Sequence, residues 1–392
     1  MLNRRTETLG IVVSVAALCV FGLLMLYSSS YVLAGSSRAY NFDRAFFVKR
    51  QFVGIVMGFA FFLLIQRLDD STIKKAVPWV TLGTLAALAL VFVPHLGVSV
   101  KGAKRWLRLA VVNVQPSEFA RYGLIAYFAY KVDRKGEDFG AQLKDYLPVA
   151  AVWFVMSVLL LLEPDYGMVI LVTGIFFFLV FVTGFPMKIL APLTLAGAAA
   201  LGVAVVSSPY RMKRIFAFLN PLEHARGSGY QVVQSLIAFA NGGAFGTGIG
   251  AGKQKLFYLP EIHTDYIFSV IGEELGFFGV AAIATIFILF LYACYRVSLR
   301  ARDGFGRIFA LGVGFSVSLS AFMNMCVCLK LLPPKGMVLP FISYGRSSVI
   351  AHLAAVGLVV RISRMGRETA KDEDPYRRWW HRRSRLPRTG YC

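Results

Sequence analysis

Residues 265–297 read "DYIFSVIGEELGFFGVAAIATIFILFLYACYRV". A run this long and apolar suits a helix that crosses lipid, for which about 20 apolar residues are enough. Yet it opens on Asp265, with no Lys or Arg beside it in sequence, and it carries Glu273 and Glu274 further in. A charge at the centre of a bilayer costs roughly 2.5–3.5 kcal/mol unless it faces protein or water. The stretch therefore predicts a membrane helix whose acidic groups have work to do.

The rest of the chain agrees with a membrane setting. Its 392 residues are 57% hydrophobic, with 33 Phe, and the mean hydropathy is +0.62. That is too apolar for a soluble core of this size. Apolar segments fall at about 10–34, 49–66, 76–98, 116–131, 147–163, 167–184, 187–206, 265–297, 307–328 and 343–363. The expected fold is an all-α polytopic membrane protein of about ten transmembrane helices, with a large extracytoplasmic loop at about 207–264 between spans 7 and 8. Residues 1–364 form the membrane domain and 365–392 a basic cytoplasmic tail.

The first span follows Arg4 and Arg5 and ends near Val32-Leu33-Ala34, but its apolar stretch is longer than that of a signal peptide. It reads as an uncleaved anchor. Cys19 and Cys294 sit within spans, Cys326 and Cys328 do not share a helix face, and Cys392 ends the chain, so no disulfide or zinc site follows.

Lysine and arginine orient the bundle. With ten spans, Arg4, Arg5, Arg67, Lys74, Lys75, Arg134, Lys135, Lys144, Arg300, Arg302, Arg307 and the tail after Arg361 share one side. That side is the cytoplasm, and both termini lie there. The tail segment "RRWWHRRSRLPR" carries much of the +21 net charge. It either rests on anionic lipid through its arginines and Trp379-Trp380 or docks a cytoplasmic partner.

Basic residues also occur on the opposite side, at Lys101, Lys104, Arg105 and Arg108 and again at Arg211, Lys213, Arg214, Arg226, Lys253 and Lys255. Long loops translocate largely regardless of charge, or else something anionic outside needs these cations. A pyrophosphate or phospholipid head group is the natural candidate.

Within the long loop, Tyr230–Ala240 is apolar at helical spacing and ends at Asn241-Gly242. It predicts a short helix lying in the interface or packed on the bundle. "GTGIGAGKQ" (246–254) fails the nucleotide phosphate-loop pattern, because Thr247 stands at the first glycine position and Gln254 at the last. Its alternating glycines either form an anion nest beside Lys253 and Lys255 or serve conformation alone. Neither a nucleotide nor a nucleic-acid partner is expected. Glu118 and Arg121, three apart, suit an ion pair on one face of the fourth span, and Asn324 sits late in the ninth.

Six stretches, "GAKRWLRL" (102–109), "QPSEFAR" (115–121), "EPDYG" (163–167), "GYQVVQS" (229–235), "KQKLFYLPEIHTDYIFSVIGEELGF" (253–277) and "LLPPKGMVLPFISYG" (331–345), resemble in order the motifs of the SEDS family of shape, elongation, division and sporulation proteins. "SSPYRMKRIFAFLNP" (207–221) and the basic tail look more like the division and sporulation branch, FtsW and SpoVE, than the elongation member RodA. Arg346, Cys326 and Pro334 depart from the residues usual in the family, which are glycine, glycine and threonine.

The resemblance implies a peptidoglycan glycosyltransferase that polymerises lipid II at the outer face of the bacterial cytoplasmic membrane. It implies a class B penicillin-binding transpeptidase as partner, alongside other divisome proteins. The family's catalytic aspartate falls on Asp265, and its buried carboxylate and cation fall on Glu118 and Arg121. Inverting transfer from an α-linked sugar pyrophosphate needs a base for the acceptor hydroxyl and positive charge for the departing undecaprenyl pyrophosphate. Lys104, Arg105, Arg211, Arg214, Lys253, Lys255, His263, Lys335 and Ser343 are the candidate substrate contacts, with Glu273, Glu274 and Asn324 as supporting groups. A divalent cation, Mg or Mn, could share the second task with Asp265 as its ligand. The rival readings are a lipid II flippase, which broken helices and internal repeats would favour, and a scaffold for the transpeptidase.

Overall fold

The computed structural model describes residues 4–365, apart from 101–102, 110–111, 141, 207–211, 213–215, 217, 226 and 228. The basic tail, with Arg211 and Arg214, thus lies outside the described residues. Among the described residues eleven α-helices form: α1 (Arg4–Ser36), α2 (Phe46–Arg67), α3 (Asp70–Leu90), α4 (Pro116–Lys135), α5 (Leu147–Leu162), α6 (Tyr166–Val182), α7 (Met187–Val206), α8 (Tyr230–Gly242), α9 (Ile267–Arg300), α10 (Gly304–Cys328) and α11 (Arg346–Met365). A helix thus lies on each apolar segment, and α8 is the short helix expected in the long loop. Six of the helices, α1, α2, α3, α9, α10 and α11, are long and apolar enough to cross a membrane, while α5 and α6 are shorter apolar helices.

The expectation of an all-α chain is corrected by a three-stranded antiparallel sheet in the order β1 (Gly97–Val100), β2 (Ala103–Leu109), β3 (Val112–Val114). The third segment, read as helical to residue 98, stops at Leu90 because Pro94 disfavours helix in the residue before it. From there the chain alternates, with Lys104 and Arg108 exposed and Leu107 buried, which is the period of a strand. The cations in this loop hid the alternation.

Helix α10 forms the centre, packed against α4, α6, α9 and α11. Its buried face is almost continuous, while Phe52, Phe59, Leu64 and Trp79 on α2 and α3 remain exposed. Large apolar side chains on the rim of such a bundle suit hydrocarbon rather than water. At one end Lys74 bridges Asp133 and Asp303 at 2.7 Å each, joining α3, α4 and the head of α10. Glu7 meets Arg296 and Arg300 at the same end.

The apolar run of residues 265–297 is not one straight helix. Gly276 takes φ 64°, ψ −162° and breaks α9 in two. Residues 267–274 are all buried, whereas Phe277 and Phe278 beyond the break are exposed. Residues 277–300 alone span about 36 Å at 1.5 Å per residue, enough for the hydrocarbon core. Asp265 therefore heads a short buried half-helix rather than the lipid-facing span itself.

A break frees backbone groups, and these must be paired. The loop after α8 does this: Thr247 and Gly248 donate to the carbonyls of Glu273 and Glu274, while Phe277 and Phe278 donate to those of Gly243 and Ala244. The approach is close enough that a Cβ on Gly276 would lie 2.4 Å from Gly246 N and 2.6 Å from Ala244 O. Backbone at this φ and ψ is open essentially to glycine alone. Gly276→Ala is expected to lower stability by about 1–3 kcal/mol or more and to speed proteolysis of 243–266. Gly83→Ala, where a Cβ meets nothing within 4 Å, should be neutral or mildly stabilising; thermal melts of the two variants in detergent check both.

Candidate active site

The carboxylates of Glu273 and Glu274 are turned onto the glycine loop. Glu273 accepts from the backbone of Lys253 (2.9 Å) and Gln254 (3.2 Å). Glu274 accepts from Gly250 N (2.9 Å), Ser28 Oγ (2.7 Å) and Lys255 Nζ (2.8 Å). The nest read in "GTGIGAGKQ" does bind anions, but they are the chain's own glutamates. Lys255 is buried in this pairing with Glu274, which argues against its assignment as a substrate contact. Lys253 and Lys104 are exposed.

With the loop so fixed, the chain delivers Asp265 to the head of α9. Asn324, near the end of α10, donates to the carbonyl of Asp265 (2.9 Å) and to that of Met337 (2.6 Å). One amide thus ties the 331–345 strap to the aspartate's own peptide. A Cβ on Gly336 would stand 3.0 Å from Asp265 Oδ2, so the strap runs directly past the carboxylate. The main chain of His263 accepts from Tyr344 N (2.9 Å), and its ring packs on Phe47 and Tyr344. Ser343, expected to meet substrate, is buried and spends its hydroxyl on Leu339 N (2.8 Å), while Gln51 holds its carbonyl. It shapes the strap.

The strap also leads to a second group of charges. Lys335 passes Gly167, where a Cβ would lie 3.5 Å from its Cδ. Gly167 follows Asp165, the cap of α6, whose Oδ1 accepts from Met168 N. From β2, Arg105 donates to the carbonyls of Glu163 (3.1 Å) and Pro164 (2.5 Å) and lies 4.0 Å from Asp165. Burial and the neighbouring Asp165 push the Glu163 carboxyl up to about 8, against the pull of Arg105. Burial likewise raises Asp165, opposed by Arg105 and Lys335. Burial lowers the Lys335 ammonium to about 8, opposed by Asp165. Glu163 and Asp165 were not singled out in sequence; the available signal was two carboxylates astride a proline between apolar helices.

Deeper in the bundle, Arg121 Nη2 meets Glu118 Oε2 at 2.5 Å, as their spacing predicts. The pair recruits groups that sequence reasoning missed: Ser320 of α10 accepts from Arg121 (3.0 Å), Ser348 of α11 donates to Glu118 (3.1 Å), and His352 lies 3.0 Å from Arg121. A histidine amid "SSVIAHLAAVGL" was the visible cue.

Among the described residues no group of three or more His, Cys, Asp or Glu is placed to hold a metal. A hard cation at Asp265 would need phosphate oxygens and water to complete its shell, a mode common for magnesium.

Residues 9–368 match the FtsW/RodA/SpoVE family of cell cycle proteins. The chain belongs to that family. Among curated relatives, it is 42% identical to a probable peptidoglycan glycosyltransferase FtsW of Trichlorobacter lovleyi, covering 89% of this chain and 91% of the relative. It is 40% identical to a protein of the same description from Geobacter sp., covering 92% and 98%. Among solved structures it resembles a chain from a peptidoglycan synthase complex, studied for the coordination of polymerization and crosslinking, with TM-score 0.74 and 28% identity over 92% of this chain and 98% of that one. The RodA rod-shape-determining protein of Thermus thermophilus matches with TM-score 0.67 and 28% identity over 92% and 97%. The higher identities to FtsW proteins fit the division-branch motifs within this family.

A buried pair loses most when one partner is left alone. Glu118→Ala and Arg121→Ala are each expected to cost about 3–5 kcal/mol, and the double variant about as much as either. Thermal unfolding and activity of the three proteins check this; losses that add independently would break the pairing.

Proposed function

We propose that this protein is a peptidoglycan glycosyltransferase that polymerises lipid II at the outer face of the cytoplasmic membrane and releases undecaprenyl pyrophosphate. The observation that carries the reading is the strap clamped by Asn324, which sets Gly336 against Asp265 and Lys335 beside the Arg105–Asp165 pair. Adjacent residues of the strap, Gly336 and Lys335, thus meet a base and a cationic lobe, as inverting transfer from a sugar diphosphate requires.

Asp265 takes the proton of the acceptor 4-hydroxyl as it attacks the anomeric carbon. Arg105 and Lys335 receive the diphosphate as the glycosidic oxygen departs, and the exposed Lys104 and Lys253 add cationic charge. A divalent cation, if used, supplies further charge neutralisation at the diphosphate; its ligands from this chain would begin with Asp265. Ten helices cross the membrane in this reading, with both termini and the basic tail in the cytoplasm. The 207–264 loop, the sheet and Asp265 lie outside, where a class B penicillin-binding transpeptidase would crosslink the product within the divisome. The likeness to a chain of a peptidoglycan synthase complex supports that partner.

The break in α9 is the one observation that favours a flippase, since transporters bind cargo at interrupted helices. Here the freed backbone groups are taken by residues 243–248 of the same chain, which leaves the break closed. Asp265→Asn keeps the size of the side chain and removes its basicity, so polymer formation should fall by about 10² to 10⁴-fold with lipid II binding retained. The assay is polymerisation by the reconstituted protein with a transpeptidase partner and divalent metal, and no other glycosyltransferase. An Asp265→Asn protein of near wild-type rate would refute the site. An unmutated protein that makes no polymer but moves lipid II across vesicles would establish the flippase.

A further inference from the structure

Glu163 is the group near the strap that the proposed chemistry leaves without a task. It is buried in the turn between α5 and α6, and neither carboxyl oxygen has a hydrogen-bond partner among the described residues. Arg105, the cation that acts on its carboxyl, gives its Nε–H to the main-chain carbonyl of Glu163 and an Nη2–H to that of Pro164. The fork thereby holds the turn's backbone and leaves the carboxyl group unanswered. A buried carboxyl without a donor prefers its neutral form. Among the described residues, the charged groups that act on it are Arg105 from β2 and Asp165 from the head of α6, and Lys335 of the strap acts on Asp165 in turn.

While Lys335 keeps its ammonium charge, the charge count of this lobe turns on the proton of Glu163. Arg105 and Lys335 against Asp165 leave one net positive charge while Glu163 is neutral, and none once it ionises. Resting on the reading that Arg105 and Lys335 receive the substrate's diphosphate, we propose that Glu163 is a positioning residue that gates this anion subsite by holding a proton. Protonated, it lets Arg105 and Lys335 present their charge to the diphosphate. Ionised, it offsets that charge and repels the anion.

The direction with pH follows from the groups named. The Glu163 carboxyl sits up at about 8 and the Lys335 ammonium down at about 8. Both are protonated below that pH and both lose their protons above it. Anion affinity is then full near neutrality and falls as pH rises through about 8, two protons being lost for each diphosphate released.

The test uses inorganic pyrophosphate binding to the purified full-length chain in lipid nanodiscs from pH 6.5 to 9.5. The probe's own titration is common to every variant and cancels in the comparison. For the wild type, log Kd should climb with pH by two protons' worth above pH 8; Glu163→Gln, which mimics the protonated acid at every pH, should climb by one fewer. At pH 9 the glutamine variant should bind about tenfold more tightly than wild type, the factor for one pH unit beyond a group's midpoint. Glu163→Met, neutral and without hydrogen-bonding capacity, should share the shallower slope. If neither variant folds, Lys335→Met decides, because its remaining slope belongs to Glu163.

A wild-type slope in both neutral variants, a Lys335→Met protein with no slope beyond the probe's own, or a wild type that binds no pyrophosphate at pH 7 overturns the gate. A merely structural role for Glu163 would shift affinity at all pH values alike and leave the slopes unchanged. No polymer is read, so the outcomes separate. A protein with the expected slopes that makes no glycan keeps the gate and loses the enzyme. One that makes glycan with no Glu163 slope does the reverse.

Discussion

Two adjacent buried carboxylates in a broken helix set the terms for the rest of this molecule. Glu273 and Glu274 sit where α9 is interrupted at Gly276, and neither is exposed. Buried charge without partners is expensive, so the fold has to bring donors to them. It brings the glycine loop, whose backbone N–H groups at 250, 253 and 254 point at the carboxylates, and it brings Ser28 of α1 and Lys255. Glycine is needed there because the loop runs through left-handed conformations at Gly246, Gly248 and Gly250.

From that clamp the position of Asp265 follows in sequence. Asp265 lies ten positions after Lys255, and the chain between them is held at one end by Glu274 and at the other by Asn324. Asn324 simultaneously holds the strap at Met337. The aspartate and the strap that passes it are therefore referenced to the same amide on the central helix. A side chain whose backbone is held in this way keeps its position relative to the strap.

The apolar segments, the short helix of the long loop and the Glu118–Arg121 pair were legible in sequence because each is a local pattern: run length, period and i,i+3 spacing. The sheet was not, since its strands are short and its alternating residues are cations that also suit an exposed loop. The break at Gly276 was hidden by composition, because the residues on either side of it are equally apolar. Lys255 and Ser343 read as ligands in sequence for a common reason: a basic or hydroxyl residue near a proposed site looks like a substrate contact, and only the structure shows Lys255 buried against Glu274 and Ser343 buried with its hydroxyl accepting from Leu339 N. Glu163 and Asp165 went unremarked because their importance comes from Arg105 and Lys335, which are distant in the chain.

The two polar cores of the bundle are joined through a single element. Near the strap's end the N–H of Tyr344 is held by the carbonyl of His263, and α11 starts two residues later at Arg346. Within its first turns, Ser348 and His352 meet Glu118 and Arg121. Any shift of α11 along its axis must then disturb both the loop that carries Asp265 and a buried ion pair that tolerates little mismatch. Apolar packing alone would let α11 slide at small cost, since hydrocarbon contacts lack direction. The hydrogen bonds at 344 and 348 fix its register instead, and this explains why a membrane helix bundle retains a buried arginine, glutamate and histidine where leucines would pack.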